Sequence, residues 1–172
     1  MKYLILTSLV LFSLPVLSFA QQGQQSRCKT QPEYRQFDFW IGEWEVKNPN
    51  DVVVGNSEIE LVVGDCLILE NWISSRGTTG KSMNYYNLYD KKWHQLWIGS
   101  GGIPIEFIGD YNTERKSMDY IGRGTGPNGE SLDYKFTFFH ISDDHVRQLW
   151  EQSSDNGESW VTIFDGQYHR KK

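Results

Sequence analysis

From Gly42 onward, the chain alternates apolar and polar residues in short runs rich in Val, Ile, Tyr, Phe and Trp. Clusters of the turn-forming residues Gly, Asn, Asp and Ser separate these runs. Alternation with a period of two is typical of β-strands, and no helical pattern is long enough to build a βαβ unit. The pattern predicts ten strands, near residues 43–48, 56–63, 66–73, 81–89, 92–98, 103–109, 116–122, 131–141, 145–152 and 159–169.

Consecutive strands joined by short turns favour an antiparallel up-and-down sheet. Closing such a sheet into a barrel removes the unpaired edges that a long open sheet would expose. We therefore predict an all-β barrel of about ten strands, with a two-sheet sandwich as the alternative. A short helical turn is predicted before the first strand, over residues 31–39, because Thr30 and Glu33 have the spacing of a capping box and Tyr34 and Phe37 share a helical face.

The start of the chain predicts a secretory signal peptide at residues 1–20. Lys2 precedes an apolar run over 3–17, and small residues offer a cleavage site near Ala20. The apolar run is too short for a transmembrane helix. We expect an exported mature protein, periplasmic or extracellular and without a membrane span, with a polar lead-in at 21–29 and one barrel domain at 30–172.

The two cysteines predict a disulfide, and the charge of the chain argues against one class of partner. In an oxidising compartment, Cys28 and Cys66 are expected to form a disulfide. The net charge is −5 at pH 7, and Lys and Arg are scattered singly along the chain. A nucleic-acid partner is therefore not expected, because phosphate binding needs a basic stripe.

Residues 37–46, FDFWIGEWEV, form the most distinctive stretch. A helical turn that delivers Gly42 and Trp44 into the first strand resembles the opening of lipocalin-like barrels. The resemblance implies that Trp40, Gly42 and Trp44 form a closed barrel end, covered by an arginine from a late strand. Two residues are candidates for this arginine, Arg147 and Arg170.

The likeness extends over about residues 28–170. The segments that carry it are Cys28, 37–46, 65–72, 81–86, 92–97 and 146–151. On these segments the chain resembles a bacterial domain-of-unknown-function family with a lipocalin-like (calycin-like) fold. The resemblance implies a barrel and no particular activity.

Other motifs predict structure rather than chemistry. Residues 153–160 match the Asp-box pattern S-x-D-x-G-x-x-W, which predicts a hairpin turn more than a glycan site. Residues 124–129 match G-x-G-x-x-G, but a strand pattern follows, so a hairpin loop is predicted instead of a dinucleotide site. The four histidines lack metal-ligand spacing. No metal or cofactor is predicted, with haem on a single histidine as the alternative.

The candidate site comes from amides that alternate in phase with aromatic residues. The sets that share a strand face are Glu70 and Trp72; Ser82, Asn84 and Tyr86; Trp93, Gln95 and Trp97; and Gln148 and Trp150. An unpaired buried amide costs about 1–3 kcal/mol, so inward positions predict a cavity that holds water or a ligand. The opposite faces remain open as alternatives, with His94, Leu96 and Ile98, or Leu67, Leu69 and Asn71, in the core.

We predict a binding barrel that holds a small amphipathic or aromatic ligand, with these ten residues in the cavity wall. One alternative is an enzyme acting in the same cavity through Glu70 or His94, although no catalytic residue is assigned. A carboxylate pair of Glu70 with Glu151 is disfavoured, because Glu151 has the opposite parity to Gln148. The other alternative is a structural or interaction protein of the envelope with aromatic residues outside. The oligomeric state is left open.

Overall fold

The computed structural model describes residues 26–126 and 128–172, so the predicted signal peptide and residues 21–25 of the lead-in lie outside it. The described chain begins with a short helix, α1 (Arg27–Thr30), followed by the 3-10 turns Pro32–Arg35 and Asp38–Trp40. The helical turn predicted over 31–39 is thus present as two 3-10 segments. No helix within the described ranges has the length and apolarity needed to cross a bilayer.

The predicted capping box at Thr30 is wrong. Thr30 is the last residue of α1, and its hydroxyl donates to the Arg27 carbonyl oxygen at 3.3 Å. Gln31 precedes the first 3-10 turn in an extended conformation and makes no side-chain capping bond. A residue that already belongs to one helix cannot also take the extended conformation that a cap requires.

Ten strands form a closed antiparallel barrel in which each strand pairs with the next and the first pairs with the last. The strands are β1 (Gly42–Lys47), β2 (Val53–Val62), β3 (Leu67–Ser74), β4 (Thr79–Asn87), β5 (Lys92–Gly99), β6 (Pro104–Asn112), β7 (Ser117–Thr125), β8 (Ser131–Ser142), β9 (His145–Ser153) and β10 (Val161–Arg170). The predicted barrel is confirmed, and the sandwich alternative is wrong.

The helical turns close the barrel end at which β1 begins, which we call the closed end. Trp40 and Trp44 are fully buried there. Phe37 stacks on Trp40 with ring centroids 5.0 Å apart and meets Phe138 of β8 edge-on, also at 5.0 Å. This aromatic cluster fills the closed end, so space for a ligand has to be sought at the opposite end, which we call the distal end.

Arg170 is the arginine that covers Trp44. Its guanidinium carbon lies 4.2 Å from the centroid of the Trp44 ring, and its Nη1 donates to the Ile41 carbonyl oxygen at 2.9 Å. Gly42 makes this approach possible, because its φ is +135° and a Cβ there would lie 2.1 Å from Arg170 Nη1. The other candidate, Arg147, instead makes two hydrogen bonds to the Asp165 carboxylate, at 2.9 and 2.8 Å.

The predicted disulfide between Cys28 and Cys66 is confirmed, with Cα atoms 5.0 Å apart. It joins α1 to the turn between β2 and β3. Arg35 supports the same connection, since its Nη2 donates to the Asp65 carbonyl oxygen at 2.7 Å. A disulfide in so small a domain is consistent with export.

Both glycine-containing loop motifs form connections between strands. In the turn between β9 and β10, Asp155 Oδ1 accepts the Ser159 N–H at 2.9 Å, and Trp160 Nε1 donates to the Gly157 carbonyl oxygen at 3.1 Å. Gly157 has a φ of +89°, which favours glycine. The G-x-G-x-x-G stretch connects β7 to β8 and leads into a strand, which is the wrong context for a dinucleotide.

Candidate functional site

The amide-bearing faces of β4 and β5 point into the barrel. Ser82 and Asn84 are fully buried, and Gln95 is 2% exposed. The intervening residues point outward, with Met83 40% exposed and Ile98 43% exposed. The faces of β4 and β5 that carry the predicted wall residues are therefore the inward faces. The alternative for β5, with His94, Leu96 and Ile98 in the core, is wrong.

Polar side chains of β3 and β9 also point into the barrel. Glu70 is 3% exposed and Gln148 is 6% exposed, so both side chains are interior. Leu69 and Asn71, on the opposite face of β3, are only partly buried. A carboxyl group and several amides thus lie inside a barrel whose other contents are mainly aromatic.

A cavity of about 220 Å³, which we call the distal cavity, lies inside the distal end of the barrel. Six aromatic side chains line it: Trp72, Trp97, Phe136, Trp150, Phe164 and Tyr168. The remaining lining residues are Glu70, Gln148 and Ile163. Among these nine residues, Glu70 supplies the one carboxyl group and there is no basic side chain.

Glycines on neighbouring strands seat two of the tryptophans. A Cβ on Gly80 of β4 would lie 2.3 Å from Cη2 of Trp97, and a Cβ on Gly55 of β2 would lie 2.4 Å from Cη2 of Trp72. Each ring therefore lies directly on a strand backbone, where only glycine leaves room for it. Contact with a strand backbone on one side restricts the positions that each ring can take in the cavity wall.

A chain of hydrogen bonds follows the inner wall to Glu70. Gln95 Nε2 donates to Asn84 Oδ1 at 2.7 Å, and Asn84 Nδ2 donates to Ser82 Oγ at 3.0 Å. Ser82 Oγ then donates to Glu70 Oε2 at 2.8 Å. From the other side, Ser57 Oγ of β2 donates to Glu70 Oε1, also at 2.8 Å.

The backbone of β3 fixes the direction of this chain. Asn84 Nδ2 also donates to the Ile68 carbonyl oxygen at 3.4 Å, and a carbonyl oxygen can only accept. The same Nδ2 therefore faces Ser82, which leaves the Ser82 hydroxyl proton for Glu70. Every donor points toward the Glu70 carboxyl group, an arrangement that favours its ionised form.

Burial acts against ionisation of Glu70. No cationic side chain of residues 26–126 and 128–172 forms an ion pair with it. Burial raises the pKa of Glu70 to about 7, although the hydrogen bonds from Ser57 and Ser82 lower it. Near neutral pH the carboxyl group is therefore divided between its two forms, and a positive charge in the cavity would favour the carboxylate.

Tyr168, Gln148 and Trp150 add polar atoms to the wall. The Tyr168 hydroxyl donates to Gln148 Oε1. Burial, and then the nearby Glu70 carboxyl group, raise the pKa of Tyr168 well above its usual value, so the phenol stays neutral. Trp150 Nε1–H is buried and has no acceptor in the described part of the chain. The wall thus contains an unpaired donor as well as the Glu70 acceptor.

The ten predicted wall residues fall into three groups. Five line the cavity: Glu70, Trp72, Trp97, Gln148 and Trp150. Three lie in the hydrogen-bonded chain that ends on Glu70: Ser82, Asn84 and Gln95. The last two, Tyr86 and Trp93, do not line this cavity, because they pack at the closed end. Trp93 Nε1 donates to Gln36 Oε1 at 3.0 Å, and Tyr86 meets Tyr34 edge-on at 5.4 Å.

Four residues that line the cavity were not predicted from the sequence: Phe136, Ile163, Phe164 and Tyr168. Ser57, which donates to Glu70, was not predicted either. Period-two alternation along the predicted last strand could have identified Phe164 and Tyr168, which share its inner face. Ile163 could not have been found in this way. The register of β10 shifts between Thr162 and Phe164, so the alternation breaks there.

The other residues considered for chemistry lie away from the cavity. His94 Nε2 is 2.7 Å from the Asp90 carboxylate, and its ring stacks on Tyr85 with centroids 5.3 Å apart. Glu151 is an odd number of residues from Gln148 and therefore lies on the opposite, outer face of β9. No His, Cys, Asp or Glu cluster in the described ranges could hold a metal ion. No histidine is among the nine lining residues, so haem held by a single histidine, the alternative raised from the sequence, has no ligand in this cavity.

The outer wall also carries a groove of about 660 Å³ across β3, β4 and β5, beside Leu69, Met83 and Leu96. Its lining has one aromatic side chain, Trp72, and one charged side chain, Lys81. The cavity inside the barrel instead brings six aromatic side chains together with the buried Glu70 carboxyl group. The distal cavity is therefore the better candidate site.

Comparison with protein-family models and with curated proteins finds no match to this chain. The resemblance of residues 28–170 to a lipocalin-like family thus stays a prediction. The closed barrel with a buried aromatic cluster is compatible with ligand binding, and its function has to be argued from the geometry of the cavity.

Proposed function

We propose that this protein is an exported binding barrel that holds a small amphipathic or aromatic ligand in the distal cavity, and that it is a member of the lipocalin-like family described above. The observation that carries the proposal is the convergence of Glu70 and three tryptophan rings on one cavity of about 220 Å³. Aromatic walls with a few polar groups are typical of small-molecule sites.

The size of the cavity limits the ligand. A volume of about 220 Å³ exceeds that of an engineered apolar cavity, roughly 150 Å³, that binds benzene. That space suits one aromatic ring with a short polar chain. Polar groups of the ligand would meet Glu70, Gln148 and the unpaired Trp150 Nε1–H.

Export is supported by the disulfide and by the predicted signal peptide. A periplasmic or extracellular barrel would meet small molecules outside the cytoplasm. The seating of Trp72 on Gly55 and of Trp97 on Gly80 supports a preformed site, which reduces the entropy lost on binding.

The replacement Trp97→Phe tests the proposal. The smaller ring removes contact area from the wall, so we expect affinity for 2-phenylethanol to fall roughly five-fold, at about 25 cal/mol per Å² of lost apolar contact. Isothermal titration calorimetry on the mature domain measures this change. The matched control is Leu96→Ala, on the adjacent outward position of β5, which should leave affinity unchanged.

Equal losses in Trp97→Phe and Leu96→Ala would argue against the cavity as the site. Failure of the wild-type domain to bind any small aromatic probe saturably, in calorimetry and in native mass spectrometry, would overturn the proposed function itself.

A further inference from the structure

We propose that the ligand of the distal cavity is a protonated organic amine, whose ammonium group lies against the Glu70 carboxylate while its apolar part contacts the tryptophan rings. The inference rests on the proposed function, because it names the chemical class of ligand for the same cavity.

The first support is the missing counter-charge. Glu70 is buried in the barrel, and its hydrogen-bond partners in the described chain are the neutral hydroxyls of Ser57 and Ser82. Buried carboxylates in proteins are normally paired with a cation, because an isolated buried charge is strongly unfavourable. Glu70 borders an open volume instead, where a ligand can supply the positive charge.

The second support is the direction of the hydrogen-bond chain. The Ile68 carbonyl oxygen fixes the orientation of Asn84, which makes Ser82 a donor to Glu70. Ser57 donates to the second carboxylate oxygen. A carboxylate can accept about four hydrogen bonds, so both oxygens keep acceptor capacity for ammonium protons. The wall is thus arranged for an anionic Glu70 that accepts from a donor in the cavity.

The third support is the aromatic lining. Tryptophan, tyrosine and phenylalanine rings attract cations through their faces, and tryptophan does so most strongly. Trp72, Trp97, Trp150 and Tyr168 surround the space next to Glu70. The lining includes no basic side chain, so an anionic ligand would meet repulsion from Glu70 without compensation. A divalent metal ion would need several oxygen ligands, and one carboxylate among indole rings does not provide them.

The charged and titratable groups around Glu70 also predict how pH affects binding. The neighbouring strands present Ser57, Ser82, Gln148 and Tyr168 together with the aromatic rings. Tyr168 is the one titratable group among them, and its raised pKa keeps it neutral. With the pKa of Glu70 at about 7, the affinity for an amine should rise roughly ten-fold from pH 6 to pH 8, as the carboxylate forms.

Three probes of one shape and different charge test the proposal: 2-phenylethylammonium, 2-phenylethanol and phenylacetate. At pH 8 we expect calorimetry on the wild-type mature domain to show the ammonium binding roughly 10- to 100-fold tighter than the alcohol, the range of a charged hydrogen bond. Phenylacetate should bind most weakly. Glu70→Gln should make the ammonium and the alcohol bind equally, whereas Glu60→Gln, the same change on the outer face of β2, should preserve the preference.

The outcomes separate the two proposals. Equal binding of the ammonium and the alcohol to the wild type would overturn the amine proposal and leave the binding function intact. Absence of binding by all three probes would overturn both. A preference for the ammonium that survives in folded Glu70→Gln would also overturn the proposal. The pH series on the wild type is independent of any variant, and an affinity that does not rise from pH 6 to pH 8 would contradict the role of Glu70.

Discussion

Replacing both Cys28 and Cys66 with serine should lower the free energy of unfolding of the mature domain by about 4 kcal/mol, on the chain-entropy relation for loop closure. The two cysteines are 38 residues apart in sequence, so the disulfide restricts a long segment of the unfolded chain. That segment includes the helical turns and the whole of β1 and β2. Urea unfolding followed by tryptophan fluorescence measures the loss.

Reduction of the wild-type domain should reproduce the loss seen in the double variant, which separates the missing bond from the effect of the serines. Ser26→Ala, next to the disulfide, serves as a matched control and should change stability little. A loss below about 1 kcal/mol would contradict the relation and would show that the aromatic packing of the closed end is sufficient by itself.

Glu70 should make the ligand-free domain less stable as pH rises. Its ordinary pKa of 4.5 is raised to about 7 in the folded state, so the folded chain binds more protons than the unfolded chain between these values. The stability that Glu70 contributes is therefore fully present below pH 4.5 and declines as pH rises through 7. The decline amounts to about 3 kcal/mol in total, at 1.36 kcal/mol per unit of pKa, and most of it falls between pH 5 and pH 8.

Glu70→Gln should remove this decline, because the amide is neutral at every pH. We expect urea unfolding to show a gain in stability over the wild type that is larger at pH 8 than at pH 5, by about 2 to 3 kcal/mol. Glu60→Gln carries the same change on an exposed side chain and should follow the wild-type profile. Parallel profiles of the wild type and Glu70→Gln would contradict the burial argument.

The strands, and the residues that share each strand face, could be predicted because both depend on local rules. Turn residues bound each strand, and a period of two assigns alternate residues to one face. Such rules grouped Ser82 with Asn84, and Trp93 with Gln95, on one face of their strands. Which of the two faces points inward stayed open at the level of sequence, and the fold places Ser82, Asn84 and Gln95 inside. The disulfide was predictable from export and cysteine count. Helix α1 was not, because a four-residue helix at Arg27–Thr30 has too few residues for a periodic signal.

The position of the cavity along the barrel axis could not be predicted from alternation. Trp93 and Trp97 share one face of β5, and the sequence pattern treats them alike. In the fold, Trp93 meets Phe37 edge-on at 5.7 Å and belongs to the closed end, whereas Trp97 lines the cavity. The difference depends on how far the helical turns reach into the barrel, which is a tertiary property.

The seven tryptophans provide the most direct test of the central claim that a small ligand occupies the distal cavity. In a two-dimensional spectrum of indole N–H groups, 2-phenylethylammonium should shift the signals of Trp72, Trp97 and Trp150, which line the cavity. The signals that should stay in place belong to the closed end and the Asp-box turn: Trp40, Trp44, Trp93 and Trp160. Single Trp→Phe variants assign each signal. Shifts at the closed end with unmoved Trp72, Trp97 and Trp150 would contradict the account.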